Sequence, residues 1–136
     1  MSNSVFFDTT ILIYAISSTD PRAAVAEQLL AGGGHVNVQV LNEFASVARR
    51  KLKMPWEEIG EALAAIRTLC HTPAPITVAI HESALEIAAS HRYNIYDALI
   101  LAAAIDAGCS ILYSEDMHDG QAIGPITIRN PFATKP

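Results

Sequence analysis

Four acidic residues are placed where their side chains could act on one substrate: Asp8, Glu43, Asp97 and Asp116. Asp8 ends a short apolar segment that predicts a buried strand, and Asp116 closely follows another such segment. Glu43 falls about one turn into a predicted helix, and Asp97 stands at the start of another. In open parallel sheets, ligands bind outside the carboxyl ends of the strands. We therefore expect these four acids at one edge of a parallel sheet.

The chemistry of such a cluster is that of a hard divalent cation. Two like charges about 4 Å apart repel by roughly 4 kcal/mol at an effective dielectric of about 20, so four carboxylates need a counter-charge. Carboxylate oxygens suit Mg²⁺ or Mn²⁺, which bridge protein acids to a substrate phosphate. One such ion activates a water for phosphodiester hydrolysis, and a second stabilises the leaving oxygen. The four acids therefore predict a phosphodiester hydrolase that uses one or two Mg²⁺ or Mn²⁺ ions per site.

Each acid also has an ordinary alternative role. Asp8 could cap a helix or form a turn, Asp97 could satisfy the first amides of its helix, and Glu43 could be a surface charge. Asp116 lies in an acid-rich loop, 114–120, of a kind that needs no functional explanation. The occurrence of all four at one predicted edge is what favours a site.

The spacing of apolar residues predicts the elements that position the acids. Strands are predicted at 4–7, 35–38, 76–78, 110–113 and 126–128, and helices at 11–16, 22–31, 40–52, 56–69, 81–92 and 96–107. We expect Asp20 to cap the second helix, and the last helix to be buried because it is apolar almost all round. Strands that alternate with crossover helices imply parallel pairing. The predicted fold is α/β, a three-layer α/β/α sandwich with a mostly parallel central sheet, in a single domain over residues 1–136 with a short tail from about 130.

Composition excludes several classes of protein. The 136 residues are 51% hydrophobic and 17% charged, which is unlike a disordered chain. The longest apolar run, 98–105, is too short for a membrane span, and residues 1–4 lack the pattern of a signal peptide. Cys70 and Cys109 lack the spacing of a metal site and are expected to be reduced. We expect a soluble, cytoplasmic protein.

The charge distribution restricts how nucleic acid could bind. A net charge of −5 argues against a broad phosphate-binding surface. The basic run at Arg49, Arg50, Lys51 and Lys53 could be an ordinary solvated helix end. It could equally act locally, and we consider Arg49, Arg50 and Arg92 as residues that steer a nucleic-acid strand toward the acids.

The segments around the four acids resemble the motifs of one family. Residues Phe7–Tyr14, Val38–Phe44, Tyr96–Ile100 and Leu112–Asp116 are similar, in this order and spacing, to the four acid motifs of PIN-domain nucleases. Within that family, they most resemble VapC-type toxins of bacterial toxin–antitoxin pairs. The resemblance spans nearly the whole chain.

The resemblance implies a fold, an activity and partners. It implies that the four acids bind the metal and carry catalysis, and that Thr9 and Ser114 give supporting hydroxyl contacts. It also implies Mg²⁺- or Mn²⁺-dependent cleavage of single-stranded RNA by a metal-activated water. The implied partners are an RNA substrate, a second copy in a homodimer, and a VapB-like antitoxin that covers the site.

The sequence departs from the family pattern at a few positions. Thr10 stands where Asn or Ser is frequent, and Tyr96 stands where tryptophan is frequent. Glu115 and Asp119 flank Asp116 closely enough that either could share or replace its role.

Two other functions fit parts of the pattern. The strand followed by Asp8 also resembles the opening of haloacid-dehalogenase-like phosphatases, in which that aspartate is a nucleophile. That class commonly has a second aspartate where Thr10 stands and needs a lysine near the phosphate, whereas the lysines here are Lys51, Lys53 and Lys135. A catalytically silent PIN fold that only binds RNA or a protein partner is the other alternative.

Overall fold

The computed structural model describes residues 4–133 of the chain. In order, they form β1 (Val5–Phe7), α1 (Thr9–Ala15), α2 (Ala23–Ala31), α3 (Val38–Arg50), α4 (Trp56–Leu69), α5 (Val78–His91), α6 (Ile95–Asp106), β2 (Ile111–Tyr113), β3 (Ala122–Ile123) and β4 (Ile126–Arg129). Lys135 and the end of the predicted tail lie outside the described residues, as does most of the segment considered for a signal peptide. Within residues 4–133, none of the helices combines the length and the hydropathy of a membrane span.

The strands pair in the order β1-β2-β4-β3. β1 with β2 and β2 with β4 are parallel, whereas β3 runs antiparallel to β4. Phe7 pairs with Tyr113, so the carboxyl ends of β1 and β2 lie side by side. The predicted α/β sandwich with a mostly parallel sheet is confirmed.

The prediction of a strand over residues 35–38 is wrong, because only isolated bridges form there. His35 makes a single parallel bridge to Phe6. Asn37 then ends the extended backbone, because its side chain accepts a hydrogen bond from the backbone N of Val40 at 2.9 Å and so caps α3. The short segment still lies beside β1, and it therefore starts α3 from the same edge of the sheet as Asp8.

The strand predicted at 76–78 is also wrong. Ala74 makes a single bridge to Asn37, and Thr77 caps α5 by accepting from the backbone N of Ile80 at 3.1 Å. A capping hydroxyl thus starts the helix earlier than the apolar pattern predicts. The strand β3 was missed because two residues carry no alternating pattern.

The start of α2 differs from the prediction in its cap. Arg22 is the capping residue and makes no side-chain cap bond. Asp20 accepts from the backbone N of Arg22 at 2.9 Å and forms an ion pair with the same guanidinium at 2.8 Å. The guanidinium therefore holds the carboxylate that was expected to cap the helix.

One main core joins the sheet to the helices. Its largest fully buried side chains include Phe6, Phe7, Phe44, Ile11, Leu12, Ile100, Leu101, Leu112, Ile126 and Ile128. As predicted, α6 is buried almost all round, with every residue of 98–104 in the interior. Burying each large apolar side chain contributes about 1.5–3 kcal/mol, so α6 is firmly held and Asp97 in its first turn has a fixed place. Both cysteines are free thiols, and Cys109 is buried.

Candidate active site

A cavity of about 500 Å³ opens at the carboxyl edge of the sheet, and all four predicted acids line it. They reach it from four places along the chain: the end of β1, the second turn of α3, the first turn of α6 and the loop after β2. Parallel pairing of β1 with β2 brings two of these places together, and the caps of α3 and α6 bring the other two. The cavity is therefore a meeting point of carboxylates from widely separated parts of the chain.

Asp8 is the most buried of the acids, with 4% of its surface exposed. It caps α1 by accepting from the backbone N of Thr9 at 2.7 Å, and its other oxygen accepts from Oγ of Ser114, also at 2.7 Å. Burial raises the pKa of Asp8 to about 7, although these two hydrogen bonds oppose the shift. The nearby charges of Asp97 and Glu43 raise this pKa further. Asp8 thus caps a helix, as the ordinary alternative predicts. Its carboxyl also has a raised pKa, because it is buried and lies near other acids.

Glu43 is held in place by two donors. Oγ1 of Thr9 donates to one carboxylate oxygen at 2.8 Å, and Nε2 of Gln39 donates to the other at 3.0 Å. Thr9 therefore links the two acids, since its backbone N binds Asp8 and its hydroxyl binds Glu43. This half-buried, doubly bonded carboxylate is not a free surface charge.

Asp97 forms a reciprocal cap with Asn94 at the start of α6. Its backbone N donates to Oδ1 of Asn94 at 2.9 Å, and Nδ2 of Asn94 donates to its carboxylate at 3.1 Å. Burial raises the pKa of Asp97, and the charges of Glu43 and Asp116 raise it further. Asp97 therefore takes part in the cap at the first turn of α6. Its carboxylate is also affected by the negative charges of the other acids.

The loop after β2 separates the roles of its three acids. Asp116 is exposed and lines the cavity. Glu115 also lines it, but Tyr14 donates to one of its oxygens and Arg22 forms an ion pair with the other at 2.9 Å. Asp119 does not line the cavity and accepts from the backbone N of Asn130 at 2.9 Å. Asp116 therefore differs from the other two acids. It lines the cavity, and the described contacts include no hydrogen bond or ion pair to its carboxylate.

The Tyr14–Arg22–Glu115 network is the part of the site that sequence analysis missed. The guanidinium of Arg22 lies 4.0 Å from the centre of the Tyr14 ring while it binds Glu115. Burial and the hydrogen bond to Glu115 raise the pKa of Tyr14 to about 12. These contacts join residues about a hundred positions apart, so no local spacing could have indicated them.

The basic residues divide between the cavity and its surroundings. Arg50 lines the cavity, and so does Lys51, which the sequence did not single out as a steering residue. Arg49 instead donates to the carbonyl of Met54 at 3.1 Å, and Arg92 is the exposed C-terminal cap of α5. The structure therefore brings one of the three proposed steering arginines to the cavity.

A model of the PIN domain family matches residues 5–118. The chain belongs to the PIN domain family. No curated protein sequence matches it significantly. The phosphatase alternative is thereby set aside, and the predicted resemblance to PIN-domain nucleases is confirmed.

Solved structures of toxins resemble this PIN domain. VapC20 from Mycobacterium tuberculosis, described as a toxin that cleaves the sarcin–ricin loop, is 26% identical over 83% of this chain and 90% of its own, with a TM-score of 0.68. A toxin–antitoxin complex from Klebsiella pneumoniae is 20% identical over 96% and 100%, with a TM-score of 0.73. VapBC2 from Rickettsia felis, bound to a promoter DNA fragment, is 19% identical over 93% and 97%, with a TM-score of 0.67. The last two comparisons show the fold alone.

The donor set of this PIN domain suits a hard divalent cation. Asp8, Glu43, Asp97 and Asp116 offer only carboxylate oxygens, which Mg²⁺ and Mn²⁺ prefer. Within residues 4–133, no three His, Cys, Asp or Glu side chains are gathered closely enough to hold a metal as they stand. Burial is the main cause of the raised pKa values of Asp8 and Asp97, and the negative charges of neighbouring acids add to both shifts. In chemistry and in charge, the residues fit a divalent ion.

Proposed function

We propose that this PIN domain is a metal-dependent endoribonuclease that hydrolyses RNA phosphodiester bonds and serves as the toxin of a VapBC-type pair. The observation that carries the proposal is the convergence of the four acids on one cavity, with the pKa values of Asp8 and Asp97 raised by burial and by neighbouring acids. Family membership supports nuclease activity, and VapC20 supports RNA as the substrate class.

Asp8, Glu43, Asp97 and Asp116 would hold one or two Mg²⁺ or Mn²⁺ ions. Such an ion would supply a water of lowered pKa as the nucleophile and would offset the negative charge on the phosphate oxygens. The protein contributes rigid placement of the acids. Asp8 and Glu43 are fixed relative to each other through Thr9, and Ser114 fixes the second oxygen of Asp8.

Arg50 and Lys51 bind the backbone of the RNA in this proposal. Both line the same cavity as the acids, so they offer cations to phosphates on either side of the bond that is cleaved. Glu115 is a positioning residue, because its two oxygens are engaged by Tyr14 and Arg22. Its contacts tie the loop that carries Asp116 to α1 and to the start of α2.

The biological setting follows from the toxin proposal. In this proposal, the protein acts in the cytoplasm, is inhibited by a VapB-like antitoxin that covers its active site, and forms a homodimer. The chain forms a single PIN-like domain over residues 1–136, with a short tail from about residue 130. The sarcin–ricin loop, the substrate stated for VapC20, is the first structured RNA to test.

The deciding experiment is cleavage of a labelled pool of structured RNAs that includes this loop, with Mg²⁺, Mn²⁺ or EDTA. We expect metal-dependent cleavage that leaves 5′-phosphate ends and is lost in Asp8→Asn and Asp97→Asn. Asp106→Asn is the matched control, because Asp106 is an exposed acid at the other end of α6 and does not line the cavity. Folded wild type that is inert with both metals would support the silent binding module instead. Cleavage that persists in EDTA or in both variants would place the chemistry on other residues.

A further inference from the structure

Trp56 is exposed at the first turn of α4. It is the only tryptophan of the chain, and 62% of its surface is open to solvent. Tryptophan is usually highly buried, since its ring removes a large apolar area from water. The guanidinium of Arg49 lies 5.1 Å from the ring centre, and the same side chain donates to the carbonyl of Met54. A cation therefore packs against the Trp56 ring at the first turn of α4, while much of the ring stays exposed.

The turn that precedes Trp56 borders the active-site cavity. Residues 51–55 join α3 to α4, and Lys51 and Leu52 of this turn line the cavity. On α3, Glu43, Val47 and Arg50 line the same wall at helical spacing, which extends about 10 Å from the acid to the arginine. One wall of the cavity therefore runs from the acids, past Arg50, to the turn before Trp56.

The positive charge at residues 49–53, which span the end of α3 and the start of this turn, suits a polyanion. Four of the nine Lys and Arg residues of the chain lie at positions 49–53, although the chain as a whole carries −5. Arg49, Arg50, Lys51 and Lys53 are all exposed. An anionic strand that approaches an otherwise acidic protein is attracted to these four cations. An apolar ring beside those cations offers a surface for the flat face of a base.

We propose that Trp56, backed by Arg49, is a stacking platform for an unpaired base of the RNA strand that enters the active site. This inference rests on the proposed ribonuclease function. The phosphates of the strand bind Arg50 and Lys51, and one neighbouring base stacks on the indole ring. Because every base has an aromatic face, the platform selects unpaired over paired RNA and not one base over another. Loss of one base–aromatic stack weakens single-strand binding by about 5- to 150-fold.

The first experiment uses the fluorescence of the single tryptophan. The wild-type protein is titrated with a short single-stranded oligoribonucleotide in EDTA, which stops any metal-dependent cleavage. We expect quenching that saturates with binding. An abasic oligomer of equal length has the same phosphates and no bases, and we expect it to cause little quenching. Equal quenching by both oligomers would attribute the signal to phosphate charge and overturn the platform.

The second experiment separates stacking from catalysis. Trp56→Ala is expected to raise Kd for the oligoribonucleotide and KM for cleavage by about tenfold, with kcat nearly unchanged. Trp56→Phe keeps an aromatic face and should restore most of the affinity. Leu69→Ala is the matched control, since Leu69 is an exposed apolar residue at the other end of α4.

The outcomes distinguish this inference from the proposed function. Unchanged Kd and KM in Trp56→Ala would overturn the platform and leave the ribonuclease intact if wild type still cleaves. Base-dependent quenching by a protein that never cleaves RNA would support the platform and refute the ribonuclease. A variant that binds RNA normally but no longer binds an antitoxin would also overturn the platform, because the ring would then serve a protein partner.

Discussion

Replacing Asp8 with asparagine is expected to stabilise the metal-free protein at neutral and alkaline pH. The carboxyl is 4% exposed and has a pKa of about 7 in the folded chain, against an ordinary value of 3.8. As pH rises between these two values, the unfolded chain releases the proton that the folded chain retains. The unfolded state is therefore increasingly favoured, and stability falls over this range. An asparagine carries no proton to release and removes this effect.

The size of the effect follows from the two pKa values. Each pH unit between 3.8 and about 7 removes about 1.4 kcal/mol, so the full effect at pH 8 is at most about 4 kcal/mol. At pH 5, only about 1.5 kcal/mol has been lost on the same basis. The asparagine side-chain oxygen can still accept from the backbone N of Thr9. The hydroxyl of Ser114, which donates to the wild-type carboxylate, would instead accept from the asparagine NH₂ group. The protonation of the wild-type carboxyl is already counted through its pKa, and the rest of the substitution adds a constant. The difference between the two pH values, about 2–3 kcal/mol, is therefore the quantity to test.

The assay is urea unfolding of wild type and Asp8→Asn in EDTA at pH 5 and pH 8. We expect the stability of the variant relative to wild type to be greater at pH 8. Added Mg²⁺ should then stabilise wild type more than the variant, because the ion compensates a charge that the variant lacks. Asp106→Asn, which removes an exposed acid at the other end of α6, is the control variant. A variant that is destabilised by the same amount at both pH values would refute the reasoning, since the pKa of Asp8 would then not be raised by its burial.

Three further predictions concern catalysis. Asp116→Asn should lower kcat/KM for RNA cleavage by tenfold or more, whereas Asp119→Asn should change it by less than about threefold, because only the first acid lines the cavity. Equal losses would show that the loop acts as a whole. Thr9→Val should lower cleavage by about 10- to 100-fold with little unfolding, because it removes the hydroxyl that holds the carboxylate of α3; unchanged kinetics would exclude that role. Arg50→Ala should raise KM and reduce the slope of log Kd for RNA against log salt concentration by about one phosphate contact, while Arg92→Ala should do neither. The opposite result would indicate that the RNA binds at the C-terminal end of α5.

The fold was predictable from sequence where an apolar segment ends cleanly. The strands at β1, β2 and β4 and all six helices lie close to their predicted places. Errors arose where a capping side chain competed with an apolar pattern. Asn37 and Thr77 each take the backbone into a helix, although the residues beside them, Val38 and Val78, favour a strand. The helix cap prevails because it satisfies an otherwise free backbone N–H, whereas a strand there would pair along only one or two residues.

The cavity could be predicted because it depends on topology. Asp8 and Asp116 each follow a parallel strand, and parallel strands bring their carboxyl ends to one edge. The position of Glu43 required only that α3 start at this edge, which Asn37 ensures. The pKa of about 7 for Asp8 could not be predicted, because it depends on how completely the core covers the carboxyl.

The roles of Glu115 and Asp116 show where sequence reasoning ends. The spacing of residues in the sequence cannot distinguish two adjacent acids in one loop, and both of these acids line the cavity. What separates them is Arg22, whose guanidinium binds Glu115 and lies against the ring of Tyr14. A carboxylate already paired with a guanidinium is a poor candidate for a metal ligand, because the ion would have to displace a charge-assisted hydrogen bond. In the proposed site, the choice of the fourth acid therefore depends on a residue outside the four acid motifs, and removing that arginine should leave Tyr14 as the only described side chain bonded to the neighbouring carboxylate.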